Sequence, residues 1–341
     1  MATVSVRSVL RSGGGGRPNK CMGRYRPSQA GFNPSFESHP VARGRVSASP
    51  SRFCPLMQVN IAVGAVRTMS LSRNEKGDMA VELFANDAHR CIAFPDMVRG
   101  DDGVQANQFL VMDGSESALI DPGGALLYTP LSLALSGYLK LRDLTYICAS
   151  HQDPDVIGSV DRWLMYTPAK VVCSRLWGRF IPHSVPHYQK NTSHDRYILI
   201  EDAGGLIALG RSHLRAVPAH FLHSVGNLQF YDPVSRILFS GDLGASVGVM
   251  EYKPVADFDA HVPKMLSFHR RYMASNRACR WWARRARQLD IAMIAPQHGI
   301  PMVGADVGRF IDWIEDLECG VDLLPVDEVV DLLPAEAAGF N

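Results

Sequence analysis

ICASHQDPDVIGSV, residues 147–160, places a histidine and two aspartates within five positions, directly behind an apolar run. LTYICAS, residues 144–150, has the length and the β-formers of a strand, and its unbroken apolar character suits a sheet covered on both faces. His151, Asp153 and Asp155 then alternate. Alternate side chains of an extended segment point the same way, so these three can converge. Carboxylates that close together repel, and one is driven to hold a proton unless a cation neutralises them. Asp-Pro-Asp is also a good turn in its own right. The stretch alone therefore leaves two readings open, a solvated acidic turn and a metal-binding loop.

Other segments of the chain tip the balance. LRAVPAHFLH delivers His220 and His223 behind a strand-like run, RILFSGD delivers Asp242, and IAMIAPQH delivers His298. Neighbouring strands end close together in space even when their sequence positions lie far apart, so such ends collect ligands. Three histidines with three carboxylates favour a hard-to-borderline metal pair such as iron over a thiolate-type zinc site. The candidate ligands are thus His151, Asp153, Asp155, His223, Asp242 and His298. His220 reads first as a packed residue behind the ligands and second as a proton donor beside the metals. Tyr272 reads as a helix-face residue whose phenol could lie near the metals. Asp121, in LIDPGG, reads as a buried loop-former bonded to backbone near the site. His183, His187 and His194 sit in a Pro-containing loop and are expected at the surface.

QFLVMD and ALID around Gly-Ser-Glu-Ser predict a hairpin. GSVDRWLMYT predicts a helix burying Val160, Trp163, Leu164 and Tyr166. KVVCS, RYILIED, GLIALG and NLQFYDP add short strands. From residue 257 to about 289 the pattern turns helical and rich in arginine and aromatics, and a last amphipathic helix is expected over residues 306–317. Many strands with intervening and late helices predict an α/β chain folded as an αββα sandwich, two mixed sheets faced with helices.

The composition, 46% hydrophobic and 20% charged with net charge +1, excludes a nucleic-acid groove or an anionic membrane as the obvious partner. No apolar run approaches the ~20 residues needed to span a bilayer. The seven cysteines form no CxxC and read as reduced thiols, which points to the cytoplasm. Residues 1–52 hold eight arginines and one lysine against the single acid Glu37, around SGGGGRPNK and VSASPSR. This composition predicts a disordered leader over residues 1–78, read either as a start assigned too early or as an organelle transit segment. The ordered domain is expected over residues 79–318, and residues 319–341 read as a short acidic tail.

These segments together resemble the metallo-β-lactamase fold over roughly residues 83–317, and within it the diiron branch of flavodiiron and oxygen-binding diiron proteins. That branch has H-x-E-x-D-H in its first ligand loop, where the zinc hydrolases have H-x-H-x-D-H. Here the loop reads His151-Gln152-Asp153-Pro154-Asp155-Val156. A carboxylate at the third position is the diiron feature. LHSVGNLQFYDPVSRILFSGDLG looks like the next two ligand segments, implying His223 as a terminal ligand and Asp242 as the bridge. APQHG looks like the last, implying His298, and FHRRYMASNRACRWW is similar to the helical stretch of the branch. Val156 departs from the pattern and cannot bind a metal, which leaves the second ion only Asp155 and His298 of its own. The resemblance implies two iron ions, with zinc as the alternative, and O2 or NO as the small molecule bound. Full flavodiiron proteins add an FMN-binding flavodoxin-like domain that these residues do not resemble. Electrons would then come from a separate flavodoxin- or rubredoxin-like donor protein. An O2/NO-reducing oxidoreductase is placed first, ahead of a reversible O2 sensor of the same fold. A dinuclear zinc hydrolase of lactones, thioesters or phosphodiesters is the competing class. A homodimer is held open as the assembly.

Overall fold

The computed structural model describes residues 70–73, 79–95, 97–98, 104–185, 194–249 and 251–325. The expected leader ahead of residue 70, the tail beyond residue 325 and His187 lie outside the described residues. Among the described residues two sheets form. The first runs in chain order through β1 (Ser70–Arg73), β2 (Met79–Ala85), β3 (His89–Phe94), β4 (Gln108–Asp113), β5 (Glu116–Ile120), β6 (Tyr146–Cys148), β7 (Lys170–Ser174) and β8 (Tyr197–Ile200). Its first half is an antiparallel meander, and from β5 onward the strands pair in parallel. The second sheet holds β9 (Gly205–Leu209), β10 (Ser212–Pro218), β11 (Leu228–Asp232), β12 (Ile237–Phe239), β13 (Met293–Ala295) and β14 (Met302–Val303). Within it β12 and β13 pair in parallel.

Parallel neighbours need crossovers, and helices supply them. Helices α1 (Tyr128–Leu135), α2 (Pro154–Ile157) and α3 (Val160–Tyr166) lie between strands of the first sheet, while α4 (Phe258–Tyr272) and α5 (Asn276–Ala286) fill the crossover from β12 to β13. Helix α6 (Ala305–Asp316) follows β14. Consecutive residues divide between two cores, as the pleat requires. Phe109 and Cys148 join the cluster that links the sheets, with the rings of Phe109 and Phe239 4.9 Å apart, whereas Leu110 and Ile147 pack under α1 and α3 with Leu131 and Trp163. That double covering is the reason LTYICAS is apolar without alternation. The result is the expected αββα sandwich.

Several local details differ from the sequence reading. Strand β1 precedes Met79, and its four residues pair with β2. The β4–β5 turn is the two residues Gly114-Ser115, with Gly114 at φ 61°, so Glu116 and Ser117 belong to the strand. Tyr166 is exposed and stands against Tyr128 instead of entering the core. The long helical stretch is broken at residues 273–275. Ser275 accepts from Ala278 N–H and so caps a new helix, as Asp257 does for α4 through Ala260 N–H.

His269, fully buried in α4, locks that helix onto the loop after β12. Its Nδ1–H donates to Met265 O at 2.8 Å, and its Nε2 accepts from Gly244 N–H at 2.9 Å. Burial holds its pKa down at about 4 against an ordinary 6.5, so the folded ring is neutral where the unfolded ring takes up a proton. Stability conferred by that neutral ring is full above pH 6.5 and falls as the pH drops from 6.5 toward 4. His269→Gln is expected to cost about 1–3 kcal/mol at pH 7 for the buried bonds it disturbs. The difference in Tm between variant and wild type should shrink between pH 6.5 and pH 4 when both are melted across that range.

Candidate metal centre

Four segments meet where strands of both sheets end. The loop after β6 carries His151, Asp153 and Asp155, the loop after β10 carries His223, and the turns after β12 and β13 carry Asp242 and His298. Asp121, just beyond β5, fixes the first loop: its left-handed backbone (φ 51°) lets Oδ1 accept from Ser150 N–H at 2.8 Å. The expected role of Asp121 as a buried loop-former is what the structure displays. Leu228 N–H of β11 donates to Ser150 O, joining the two sheets at this end. Asn107 joins them again. Its backbone N–H reaches Gln297 O, and its side-chain amide donates to Pro296 O and Gly299 O. Gly241 and Gly299 flank two of the candidate ligands at φ 58° and 92°. A Cβ at Gly299 would strike Ser246, so the chain can turn there only without one.

The six candidates converge on Asp242. Its Oδ2 lies 2.7 Å from His223 Nε2 and 3.5 Å from His151 Nε2, and its Oδ1 lies 3.4 Å from His298 Nε2. Asp153 Oδ2 joins the first group, 3.6 Å from His151 and 3.5 Å from His223. Asp155 Oδ2 joins the second, 3.2 Å from His298. One oxygen of Asp242 therefore faces each half. The halves differ in number, with His151, Asp153 and His223 on one side and Asp155 and His298 on the other.

The first loop reaches this arrangement by a different route from simple alternation. Asp153 is extended (ψ 150°) and serves as N-cap residue of α2, Pro154 starts the helix, and Asp155 sits in its first turn. The helical turn swings Asp155 away from Asp153 and aims the two carboxylates at opposite halves. Pro at the first helical position is what makes that turn easy. Val156 is fully buried and packs with Ile157, Val160 and Trp163 in the helix-side core, so the position where the pattern would end in histidine serves packing.

The donors are held in metal-ready form. His298 Nδ1–H donates to Gln105 O at 2.6 Å, and His151 Nδ1 is bonded to Ser150 Oγ at 2.9 Å. Both rings thus present Nε2 to the centre, the orientation that outer hydrogen bonds give to ligating imidazoles. Gln152 Nε2–H donates to Asp153 Oδ1 at 2.9 Å while Ser224 Oγ–H donates to Gln152 Oε1 at 2.7 Å. His151 Nε2 and Asp242 Oδ1 are buried without any hydrogen-bond partner. Orphaned buried polar atoms are costly, and two of them pointing into one carboxylate cluster fit bound cations. Protonation behaviour says the same. Burial opposes charge on His298, but Asp155 and Asp242 outweigh it and hold the pKa up at about 10. His151 is raised by Asp153 and Asp242 against its burial, and Asp242, despite burial, is held well below the usual carboxylate range by His223 and His298. Protons stand in where divalent cations would supply the same charge.

The two other candidates separate. Tyr272 is brought to the cluster. Its ring centroid is 5.5 Å from that of His223 and stacks at 4.6 Å on Phe268, forming an aromatic wall with the phenol half exposed. His220 is drawn elsewhere, its Nε2–H donating to Asp202 O and its ring stacked on Trp281. His183 is exposed. Gln152, Gln105 and Asn107 were not read from the sequence as parts of the site. Gln152 stood inside the motif itself, whereas Gln105 and Asn107 act from nearly 200 positions away and carry no local signal. Beside His298 a cleft of about 320 Å³ opens, lined by Val104, Val247, Tyr252 and Ile300 among others.

Comparison with known proteins adds to this. The profile of the ODP family beta lactamase matches residues 104–299. The chemotaxis sensor ODP, solved as a peroxy diiron species, is 38% identical with a TM-score of 0.64, over 72% of this chain and 97% of that one; the apo state from T. denticola is similar at 37% identity. A flavo di-iron protein of Thermotoga maritima shares the fold at 18% identity and a TM-score of 0.56, over 73% of this chain and 60% of that one. A diflavin flavoprotein of Synechocystis sp. is 31% identical over 143 residues, 41% of this chain. An uncharacterized protein of Methanocaldococcus jannaschii is 24% identical over 205 residues, 58% of this chain. The alignments span 23% and 49% of these two curated relatives.

Two outcomes are expected from the geometry. In metal-free protein, the stabilisation from charged His298 is full below pH 6.5 and is lost as the pH rises toward about 10. The Tm of metal-free protein should accordingly fall over that range more steeply than the Tm of metal-loaded protein. Gln152→Ala should weaken metal binding about 10–100-fold by freeing Asp153, measured by competition with a chromophoric chelator.

Proposed function

Because the chain belongs to the ODP family of beta-lactamase-fold proteins, we propose that it is a non-haem diiron protein that binds O2 and signals its presence. The observation that carries this reading is Asp242, with one carboxylate oxygen turned to each half of the cluster. His151, Asp153, His223 and Asp242 Oδ2 would hold one iron, and Asp155, His298 and Asp242 Oδ1 the other. Two ferrous ions held by these residues would supply the electrons that O2 or NO accepts. The chain's own residues do the rest. Neutral imidazoles and carboxylates suit iron, and a carboxylate at residue 153 in place of an imidazole weakens the Lewis acidity a zinc hydrolase needs. Val156 adds no ligand, which leaves the Asp155 side short of donors and open to a small molecule. Phe268 and Tyr272 wall the His223 side, and a hydrogen bond from the Tyr272 hydroxyl to a bound small molecule would be its contribution there.

Sensing is preferred to reduction because the 38% identity runs along 97% of a chemotaxis sensor. Reduction of O2 or NO remains the second reading, favoured by the 31% identity with a diflavin flavoprotein, and would draw electrons from a separate donor protein. No helix among the described residues is long and apolar enough to cross a membrane.

Anaerobic reconstitution with ferrous iron should give about two irons per chain, and Asp242→Ala should bind about one or fewer. Stopped-flow mixing with O2 should yield a single adduct that decays on deoxygenation. Continuous O2 consumption with an added electron donor would favour the reductase instead. Stoichiometric zinc with lactonase or thioesterase activity and no affinity for iron would overturn both. Asp153→His should shift metal preference toward zinc, read by competitive loading.

A further inference from the structure

A second group of ligand-type side chains lies at the other end of the sandwich. His89 opens β3 and Cys91 follows two residues later on the same face; Asp113 closes β4 opposite His89, and Asp232 closes β11 of the second sheet. Strands β4 and β11 both start beside the carboxylate cluster, at Gln108 and Leu228. Five or six residues at ~3.3 Å each put this second group roughly 15 Å from the first. His89, Cys91 and Asp232 are buried to 2%, 0% and 0% exposure.

We propose that His89, Cys91 and Asp232 form a structural zinc site clamping the two sheets together at the end opposite the carboxylate cluster. Three ligand atoms already make a closed triangle. His89 Nε2 lies 2.8 Å from Asp232 Oδ2, Cys91 Sγ lies 3.5 Å from the same oxygen, and Cys91 Sγ lies 3.8 Å from His89 Nε2. Zinc bonds of about 2.0–2.3 Å in a tetrahedron space such atoms roughly 3.3–3.8 Å apart, so only the nitrogen–oxygen edge has to open by a few tenths of an ångström. Ser235 Oγ–H donates to Asp232 Oδ2, which leaves the fourth position to that hydroxyl or to water.

The surroundings complete the arrangement. His89 Nδ1 faces Asp113 Oδ2 at 3.3 Å, the carboxylate–histidine relay that fixes the tautomer of a ligating imidazole. A nitrogen, a thiolate and a carboxylate form a set that suits zinc better than magnesium or calcium. On loading, the Cys91 S–H bond and the His89 Nε2–H bond break, two bonds to zinc form in their place, and two protons leave to solvent. With every ligand buried, loading accompanies folding.

This site stands apart from the iron reading and is tested without it. Full-length protein and its Cys91→Ser variant are produced in cobalt-supplemented medium and their near-ultraviolet spectra compared. The carboxylate cluster has no sulfur, so a thiolate-to-cobalt charge-transfer band in wild type that disappears in Cys91→Ser, with one cobalt per chain lost, is the expected result. Zinc X-ray absorption on wild-type protein needs no variant, and should contain one sulfur scatterer at about 2.3 Å. Absence of the band and of the sulfur scatterer would overturn the proposal and leave a proton-bridged Asp–His–Asp link. Persistence of the band in Cys91→Ser would overturn it equally, by assigning the thiolate to another cysteine.

Discussion

Three carboxylates and three imidazoles held within a few ångströms form the constraint around which the rest of the molecule is arranged. Asp153, Asp155 and Asp242 would repel one another in so confined a space unless positive charge were supplied between them. Removing one member of such a group leaves its partners buried and uncompensated, and this costs more than the pair is worth. The scaffold therefore has to deliver all six together. It does so by ending four strands from two sheets at one place and tying those ends with Asp121, Asn107 and the Leu228–Ser150 bond.

The tie works because each element contributes a different kind of rigidity. Strands β6, β12 and β13 are fully or nearly fully buried, so their ends are fixed by packing on both faces. Just beyond them, backbone polar groups are consumed by named partners: Gln297 N–H bonds to Gly241 O, Ser246 N–H to His298 O, and Ser240 N–H to Ala295 O. Helix α4 closes the same region from outside, with His269 bonded to Gly244 two residues beyond Asp242. Ligand loops held this way lose little entropy when a cation arrives, which is the preorganisation a metal site requires.

Much of this was legible in the sequence, and the reasons are local. An apolar run that ends in histidine or aspartate is a visible signal, and it located the six candidates and the strands bearing them. The sandwich followed from the order of strand and helix patterns. What stayed hidden was set by contacts between distant positions. Nothing in the neighbourhood of Gln105 or Asn107 marks them as supports for the residue 296–299 turn, since their partners lie on another sheet. Asp153 and Asp155 looked equivalent by spacing, and only the helical turn starting at Pro154 sends them apart. His220 looked like a companion of His223 three positions on, yet the left-handed backbone at Phe221 (φ 67°) lies between them. The His89–Cys91–Asp232 group could not be suspected, because its members come from strands more than 140 positions apart.

The unequal division of donors has its own outcome. On the diiron reading, the half built from His151, Asp153 and His223 grips its ion with more side chains than the half built from Asp155 and His298. Occupying the richer half pins Oδ2 of Asp242 and thereby sets the angle at which Oδ1 is offered across the divide. Filling is then sequential, the first guest furnishing the berth of the second, and the later arrival is also the sooner to depart.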